Sequence, residues 1–188
     1  MIFDALPIEG AYAVRLEKRE DERGFFARAW CQREFAAHGL AATVVQTNIA
    51  GTRRKGTLRG MHYQLASHAE AKLFRCNRGA IYDVMIDLRP DSSTFESWYG
   101  ITLNARDDRM VYVPEGCAHG YMALADDTEV MYLVSEFYNP DAERGVRWND
   151  PFFAVSWPAV ENVIVSDKDG SWPDYAGRGN LPDEEGDR

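Results

Sequence analysis

The sequence predicts an all-β protein in which short strands form a sandwich or barrel, with a few short helices. Apolar and polar residues alternate over many segments, as they do in strands that bury one face. Turn-forming stretches such as residues 77–79 and 89–93 separate these segments. Five Trp, nine Tyr and nine Phe supply aromatic side chains that pack well on pleated sheets. With 188 residues and no internal repeat or linker, the chain is predicted to form one domain.

The predicted elements follow one another at short intervals. Residues 10–16 alternate as a strand, and a polar turn at 21–24 precedes Phe25 and Phe26. A short helix is predicted at residues 32–38, because Gly39 is a common helix terminator. Further strands are predicted at residues 43–49, 58–64, 73–76, 80–88, 98–103, 109–113, 120–125 and 130–137. The tail at residues 177–188 is rich in Gly and acidic residues and is predicted to be mobile.

Composition argues against several function classes. The net charge of -9 disfavours nucleic acid and membrane surfaces as partners, because proteins that bind them carry basic patches. No apolar stretch approaches transmembrane length, and residues 1–7 lack the pattern of a signal peptide, so we expect a cytoplasmic protein. Cys31, Cys76 and Cys117 lack the spacing of a redox or metal motif and are interpreted as reduced thiols.

The predicted strand 58–64 gives the first indication of a site. Strict alternation would place Leu58, Gly60, His62 and Gln64 on one face and Arg59, Met61 and Tyr63 on the other. A histidine and a glutamine on an inner face need polar partners, and a barrel with a ligand inside provides them. Arg59 and Lys72 would then supply cations for a phosphorylated or enolate-forming ligand. Taken singly, such side chains more often have structural or solvated roles.

Several motifs occur together and in a characteristic order. They are Asp21-Glu22-Arg23-Gly24-Phe25-Phe26, Gln46-Thr47-Asn48, Leu58-Arg59-Gly60-Met61-His62-Tyr63-Gln64, Ala71-Lys72-Leu73, residues 83–89, Pro114-Glu115-Gly116-Cys117-Ala118-His119-Gly120, residues 148–151 and Ser166-Asp167-Lys168-Asp169. From about residue 21 to 174, the chain resembles the dTDP-4-dehydrorhamnose 3,5-epimerase family. The resemblance implies a cupin-type β jelly roll that works as a homodimer without a metal or organic cofactor. The implied substrate is an NDP-4-keto-6-deoxyhexose, inverted at C3, C5 or both in deoxysugar biosynthesis.

The resemblance also implies a role for each residue of the site. His62 matches the general base and Asp169 its carboxylate partner, Lys72 the cation near the enolate oxygen, and Tyr132 the general acid. The implied binding residues are Arg23 and Arg59 for the diphosphate, Phe26 and Tyr138 for the nucleotide base, Gln46 and Asn48 along the pocket, and His119 near the sugar. Arg23 and Phe26 are expected to reach the site from the partner subunit.

The chain departs from the family pattern at Arg28, Thr47 and Leu133, where the family commonly has an acid, an aspartate and a lysine. The nucleotide (dTDP, CDP or GDP) and the inverted carbon therefore stay open. One alternative is a metal-dependent cupin enzyme, because Pro114-x-Gly116-x-x-His119 resembles the second cupin motif, although the His-x-His pair of the first motif is missing. Two further alternatives are a non-catalytic sugar-nucleotide binding protein and a ketoisomerase. The four residues that match catalytic positions argue against the non-catalytic binding protein.

Overall fold

The computed structural model describes residues 1–177, in which strands predominate. In chain order the strands are β1 (Ile2–Ala5), β2 (Tyr12–Arg15), β3 (Arg19–Asp21), β4 (Gly24–Phe26), β5 (Gln46–Thr52), β6 (Leu58–Gln64), β7 (Lys72–Arg78), β8 (Ala80–Asp87), β9 (Trp98–Asn104), β10 (Arg109–Val113), β11 (Cys117–Ala123), β12 (Thr128–Val134) and β13 (Glu143–Gly145). The helices are α1 (Gln32–Ala37), a 3₁₀ turn (Ala66–His68) and α2 (Asp167–Gly170). Among these described residues, no helix has the length and apolar character needed to cross a membrane.

Two antiparallel sheets pack face to face. The larger sheet has the strand order β1-β2-β10-β7-β12-β5, and the smaller has the order β13-β6-β11-β8-β9. Neighbouring strands come from distant parts of the chain, since β7 lies between β10 and β12, and β11 lies between β6 and β8. This crossing connectivity over two sheets is that of a jelly roll. The predicted all-β jelly-roll fold is therefore confirmed.

Within residues 1–177, three apolar clusters hold the layers together. The cluster between the sheets contains residues of both, among them Phe74 and Met85. A second cluster covers the outer face of the larger sheet, where α1 docks through the buried Phe35. A helix of six residues is not stable alone, and burial of this ring contributes about 1.5–3 kcal/mol. The third cluster, with Val84 and Phe153, covers the outer face of the smaller sheet.

The predicted elements agree closely with the observed ones. The strand predicted at residues 109–113 has these bounds, whereas β5 begins three residues later and β11 three residues earlier than predicted. The elements β1, β3, β4, β13, α2 and the 3₁₀ turn were not predicted, because three or four residues are too few to display a period. The predicted mobile tail lies, beyond Gly177, outside the described residues.

Candidate active site

A cavity between the two sheets consists of two adjoining chambers. The first chamber has a volume of about 560 Å³ and the second about 340 Å³, and His62, Lys72 and Tyr132 line both. Volumes of this size suit a small-molecule ligand. All but two of the side chains predicted for the site line one chamber or the other: His62, Lys72, Tyr132, Asp169, Arg59, His119, Gln46, Asn48 and Tyr138.

A bulge in β6 brings Arg59 and His62 to the same cavity. His62 lies opposite His119 of β11, and Arg59 lies opposite Tyr121, so three steps along β6 match two along β11. The extra residue interrupts the alternation of side chains. The prediction that Arg59 lies on the face opposite His62 is therefore wrong, because both side chains line the first chamber.

Two glycines allow the strands to approach closely at this bulge. Gly60 has a φ of +113°, a conformation that L side chains rarely adopt. A Cβ atom at Gly60 would lie 2.6 Å from the Cα atom of Gly120 and 2.6 Å from the carbonyl oxygen of His119. A Cβ atom at Gly120 would lie 2.7 Å from the carbonyl oxygen of Arg59. Glycine is therefore the residue that fits at both positions, and it follows Arg59 in one motif and His119 in the other.

His62 and Asp169 form a hydrogen-bonded pair in the wall of the first chamber. The Nε2–H group of His62 donates to Oδ1 of Asp169 across 2.7 Å, and the backbone N–H of Gly60 donates to Oδ2 across 3.1 Å. The side chain of Ser166 caps α2 by accepting the backbone N–H of Asp169. Because a carboxylate only accepts, Nε2 holds the ring hydrogen and Nδ1 keeps its lone pair. The pair thus has the arrangement of a histidine base with an orienting carboxylate.

The surroundings keep this carboxylate ionised and leave the imidazole accessible. Burial alone would raise the pKa of the Asp169 carboxyl, but the hydrogen bond and charge of His62, the Gly60 N–H and Ser166 together hold the pKa below its ordinary value. The side chain of Asp169 is 7% exposed, whereas that of His62 is 30% exposed. A ligand in the cavity can therefore contact the imidazole while the carboxylate stays behind it.

A second histidine–carboxylate pair lies beside the first. The Nε2–H group of His119 donates to Oδ2 of Asp83 across 2.9 Å, and both side chains are almost fully buried. The ring centroids of His119 and Phe74 lie 4.4 Å apart. Asp83 was not predicted as a site residue, although it begins one of the motifs, because a single acid in an apolar strand does not reveal its partner.

Lys72 and Tyr132 reach the cavity from the larger sheet. The Nζ atom of Lys72 lies 3.1 Å from Oε1 of Glu70, and each side chain is 11% exposed. The ring of Tyr132 stacks on Phe74 with ring centroids 4.6 Å apart. Burial raises the pKa of the Tyr132 phenol, and Glu70 raises it further while Arg59 lowers it. The phenol therefore keeps its proton and can act as a donor.

The second chamber is lined by polar side chains that bond to one another. Oε1 of Gln46 accepts the backbone N–H of Tyr138 across 3.0 Å, and the hydroxyl of Tyr138 donates to Oε2 of Glu143 across 2.7 Å. Glu143 also forms an ion pair with Lys168. Burial would raise the pKa of Glu143, but Lys168 and Tyr138 hold it below its ordinary value. The sequence did not predict Glu143, because β13 is too short to be recognised as a strand.

Arg23 and Phe26 do not line the cavity of their own chain. Both belong to the β3–β4 hairpin, which pairs with neither of the two larger sheets. The side chain of Arg23 is 84% exposed and pairs with Asp21, and Phe26 is 70% exposed. Phe25 beside it is exposed as well. Two adjacent exposed phenylalanines favour an interaction surface on this hairpin.

The three departures from the family pattern lie away from the cavity. Thr47 and Leu133 are direct partners in the β5–β12 ladder. Leu133 packs into the cluster around α1, which places this pair on the outer face of the larger sheet. Arg28 forms an ion pair with Glu34 across 2.9 Å. Within this chain, none of the three lines either chamber.

The metal-dependent alternative requires a set of ligands that converge on one point. Residues 1–177 contain no group of three or more His, Cys, Asp or Glu side chains that could hold a metal ion. His62 and His119 each bond a carboxylate, and Glu70 pairs with Lys72. The described part of the chain therefore offers no support for the metal-dependent alternative.

Comparisons with known proteins agree on one family. The sequence profile of the family described as dTDP-4-dehydrorhamnose 3,5-epimerase matches residues 5–176. The epimerase of this name from Shigella flexneri is 43% identical over 150 residues, which cover 79% of this chain and 82% of that protein. The crystal structure of the same enzyme from Elizabethkingia anophelis NUHP1 has a TM-score of 0.90 at 36% identity, covering 93% of this chain and 96% of that one. The structure from Bacillus anthracis str. Ames, with TDP and PPi bound, has a TM-score of 0.87 at 38% identity. The match covers 93% of this chain and 99% of that one.

Proposed function

We propose that this chain, which belongs to the dTDP-4-dehydrorhamnose 3,5-epimerase family, removes a substrate proton with His62 and returns one with Tyr132. The family predicted from the motifs is confirmed. The chain is an epimerase that acts at C3, C5 or both of an NDP-4-keto-6-deoxyhexose in deoxysugar biosynthesis. The identity of the base, the acid and the binding residues is the proposal.

One observation carries this mechanism: the base and the acid belong to opposite sheets. His62 lies on β6 of the smaller sheet and Tyr132 on β12 of the larger, and both line the same two chambers. A sugar ring held between the sheets presents one face to each of them. Inversion requires a proton to leave one face and another to arrive on the opposite face. The position of these two side chains supports this exchange.

The first half-reaction forms an enolate. The C4 ketone makes the hydrogens on C3 and C5 acidic, because the electron pair left on carbon is delocalised onto the ketone oxygen. Nδ1 of His62 takes the proton, and Asp169 stabilises the resulting imidazolium. Lys72 stabilises the negative charge that develops on the oxygen, an interaction that is stronger in the transition state than with the neutral ketone.

The second half-reaction returns a proton from the other face. The hydroxyl of Tyr132 donates to the enolate carbon and becomes a phenolate. Its raised pKa, caused first by burial, favours the protonated phenol at the start of each turnover. Solvent then restores the proton on Tyr132 and removes the one on His62. No electron is gained or lost overall, so the reaction requires no nicotinamide.

We assign the nucleotide as dTDP and its binding to the residues that flank the sugar position. Arg59 suits the diphosphate, because a guanidinium bonds phosphate oxygens in pairs. Tyr138 suits the base, with Gln46 and Asn48 along the second chamber and His119 near the sugar. The TDP bound in the Bacillus anthracis relative supports this choice over CDP or GDP.

We further propose that the enzyme is a homodimer in which Arg23 and Phe26 complete the site of the partner. Their exposure on a hairpin outside both sheets supports this arrangement. Mixed dimers test it. Refolding His62→Ala chains together with Arg23→Ala chains should restore activity, because the hybrid dimer contains one site with both residues intact. Mixtures no more active than the separate variants would contradict a shared site.

The activity itself is tested by proton exchange in heavy water. The protein is incubated with dTDP-, CDP- and GDP-4-keto-6-deoxyglucose, and the deuterated carbon is identified by NMR. We expect deuterium at C3, C5 or both, and fastest with the dTDP sugar. Folded protein that exchanges neither carbon of any of the three sugars would disprove the function. Faster exchange with another nucleotide would disprove only the assignment of dTDP.

We also propose a cytoplasmic location for the enzyme. Cys31, Cys76 and Cys117 are free thiols, which suits a reducing compartment. Cell fractionation with an antibody tests this, and recovery of the protein in a membrane or extracellular fraction would contradict it.

A further inference from the structure

We propose that Trp172 is a positioning residue that holds Asp169 against His62 by packing on Gly145 of β13. The inference rests on the proposed function, because it explains how the proposed base is oriented. It concerns residues 166–175, here called the strap, which contain α2 and the segment after it.

The strap wraps the edge of the smaller sheet beside the base. β13 is the outermost strand of this sheet, and its Gly145 lies directly opposite His62 of β6. On the cavity side of β13, Asp169 of the strap bonds to His62. On the outer side, Tyr175 packs on Phe153 with ring centroids 4.8 Å apart. The strap is therefore anchored on both sides of the strand that supports the base.

The indole of Trp172 lies directly on the backbone of Gly145. A Cβ atom at Gly145 would collide with the indole atoms Nε1, Cε2 and Cδ2, so a larger residue there would displace the strap. Two ion pairs also tie the strap to this region: Lys168 pairs with Glu143 of β13, and Asp174 pairs with Arg147 just beyond it. The side chains of Lys168 and Asp174 are both more than half exposed. Exposed ion pairs contribute little, whereas a packed aromatic ring contributes through its large buried area. Trp172 is thus a stronger anchor than either ion pair.

Shape, rather than hydrogen bonding, keeps the indole in place. The Nε1–H group of Trp172 is buried and has no hydrogen-bond partner within residues 1–177. An unpaired buried donor is unfavourable, so the N–H group does not account for the position of this residue. A phenylalanine ring could cover Gly145 without carrying an unpaired donor.

The position of Asp169 depends on this anchor, because α2 is a single turn of four residues. So short a helix is not rigid by itself, and contacts outside it determine where its side chains lie. Without the indole, Asp169 would be free to leave the Nε2–H group of His62. The imidazole would then lose its preference for the tautomer that exposes Nδ1 to the substrate.

The experiment compares variants of the full chain by ¹⁵N NMR of the histidine rings, with His62→Ala used to assign the His62 signal. Wild type and Trp172→Phe should show the Nε2–H tautomer with a hydrogen-bonded proton at low field. Trp172→Ala and Gly145→Ala should show a mixture of tautomers and lose that proton signal. Their deuterium exchange should slow about 10- to 100-fold, because small displacements of catalytic groups cost this much. Their affinity for dTDP should stay within about threefold, since the strap orients the base.

A matched control separates positioning from general stability. Trp157 packs on Tyr82 in the outer cluster and donates its indole N–H to the carbonyl of Trp148 across 2.8 Å. Trp157→Ala should therefore lower the unfolding temperature and leave the His62 tautomer unchanged. An equal tautomer shift in this control, a normal tautomer in Trp172→Ala, or its loss in Trp172→Phe would each overturn the proposal. The tautomer measurement requires no substrate, so it remains decisive even if wild type fails to exchange any sugar.

Discussion

The two histidine–carboxylate pairs of the cavity are neighbours but are assembled differently. His62 and His119 lie opposite each other on β6 and β11, and each donates through Nε2 to a carboxylate. Asp83 reaches His119 from the adjacent strand of the same sheet, and the pair is closed, with the histidine side chain 3% exposed. Asp169 reaches His62 from the strap, which leaves the histidine open to the cavity.

The two carboxylates also differ in how many of their oxygen atoms accept a hydrogen bond. Both oxygens of Asp169 accept N–H groups, one from His62 and one from Gly60. Oδ1 of Asp83 is buried and has no partner among the described residues. In the open pair of His62 and Asp169, both carboxylate oxygens are therefore bonded before a ligand arrives, as preorganised catalytic groups are. We interpret the closed pair as part of the cavity floor and the open pair as the proton-transfer machinery.

Replacing each histidine in turn tests this interpretation with the largest expected effect. His62→Ala should abolish deuterium uptake at both carbons, a loss of at least about 10²- to 10⁴-fold, because the general base is gone. His119→Ala should retain measurable uptake, since the open pair is intact. Uptake is measured by NMR in heavy water, with circular dichroism to verify folding. Near-normal uptake in His62→Ala would disprove its assignment as the base.

Replacing each carboxylate by its amide sharpens the contrast. Asp169→Asn should lower the exchange rate about 10²- to 10⁴-fold, because an amide no longer imposes the Nε2–H tautomer. Asp83→Asn should lower the free energy of unfolding by about 1–3 kcal/mol, since it disturbs a buried polar pair. Urea unfolding and exchange rates are measured for both variants. The comparison breaks down if Asp169→Asn is the less stable of the two or if Asp83→Asn exchanges more slowly.

Replacing Tyr132, the proposed general acid, shows which step the pair of His62 and Asp169 can carry out without it. Tyr132→Phe leaves His62 and Lys72 in place, so the enolate still forms and the substrate proton still exchanges. Return of a proton to the opposite face of the sugar should slow about 10²-fold, because the Tyr132 hydroxyl that donates it is missing. The variant should therefore exchange deuterium with retention faster than it makes inverted product, which NMR of the sugar distinguishes. Inversion at the wild-type rate would make Tyr132 a packing residue, and Tyr138 or a bound water would be the next candidate.

The sequence predicted the longer strands and nine of the side chains that line the cavity, because both have local signatures. Strands of five or more residues display alternation, and His62, Lys72 and His119 stand in recognisable motifs. The structure brings these three side chains to one cavity. Their roles stay predictions until the variants are measured.

The remaining features depend on contacts between distant segments, which local patterns do not encode. The bulge that turns Arg59 toward the cavity arises where β6 meets Gly120 of β11, whereas alternation assumes a regular strand. Asp83 and Glu143 look like isolated acids until their partners are known. Trp172 follows a four-residue helix, and nothing in the sequence indicates that it packs on a strand.

The smallest expected effect is the pH dependence that the open pair gives to stability. The pKa of the Asp169 carboxyl lies below its ordinary value, because the hydrogen bonds and charge of its partners outweigh burial. The folded protein therefore binds this proton less tightly than the unfolded chain does. The resulting stability is present above the unfolded pKa, about 3.9, and is lost as the pH falls through the lower pKa of the folded state.

Asp169→Asn lacks this contribution at every pH. The difference in unfolding free energy between wild type and variant, measured in urea from about pH 6 to about pH 3, should consequently narrow on acidification. Other carboxylates are common to both proteins and cancel in the difference. A difference that stays constant or widens would show that Asp169 is not held ionised by its partners, and the contrast between the open and closed pairs would then lose its electrostatic basis.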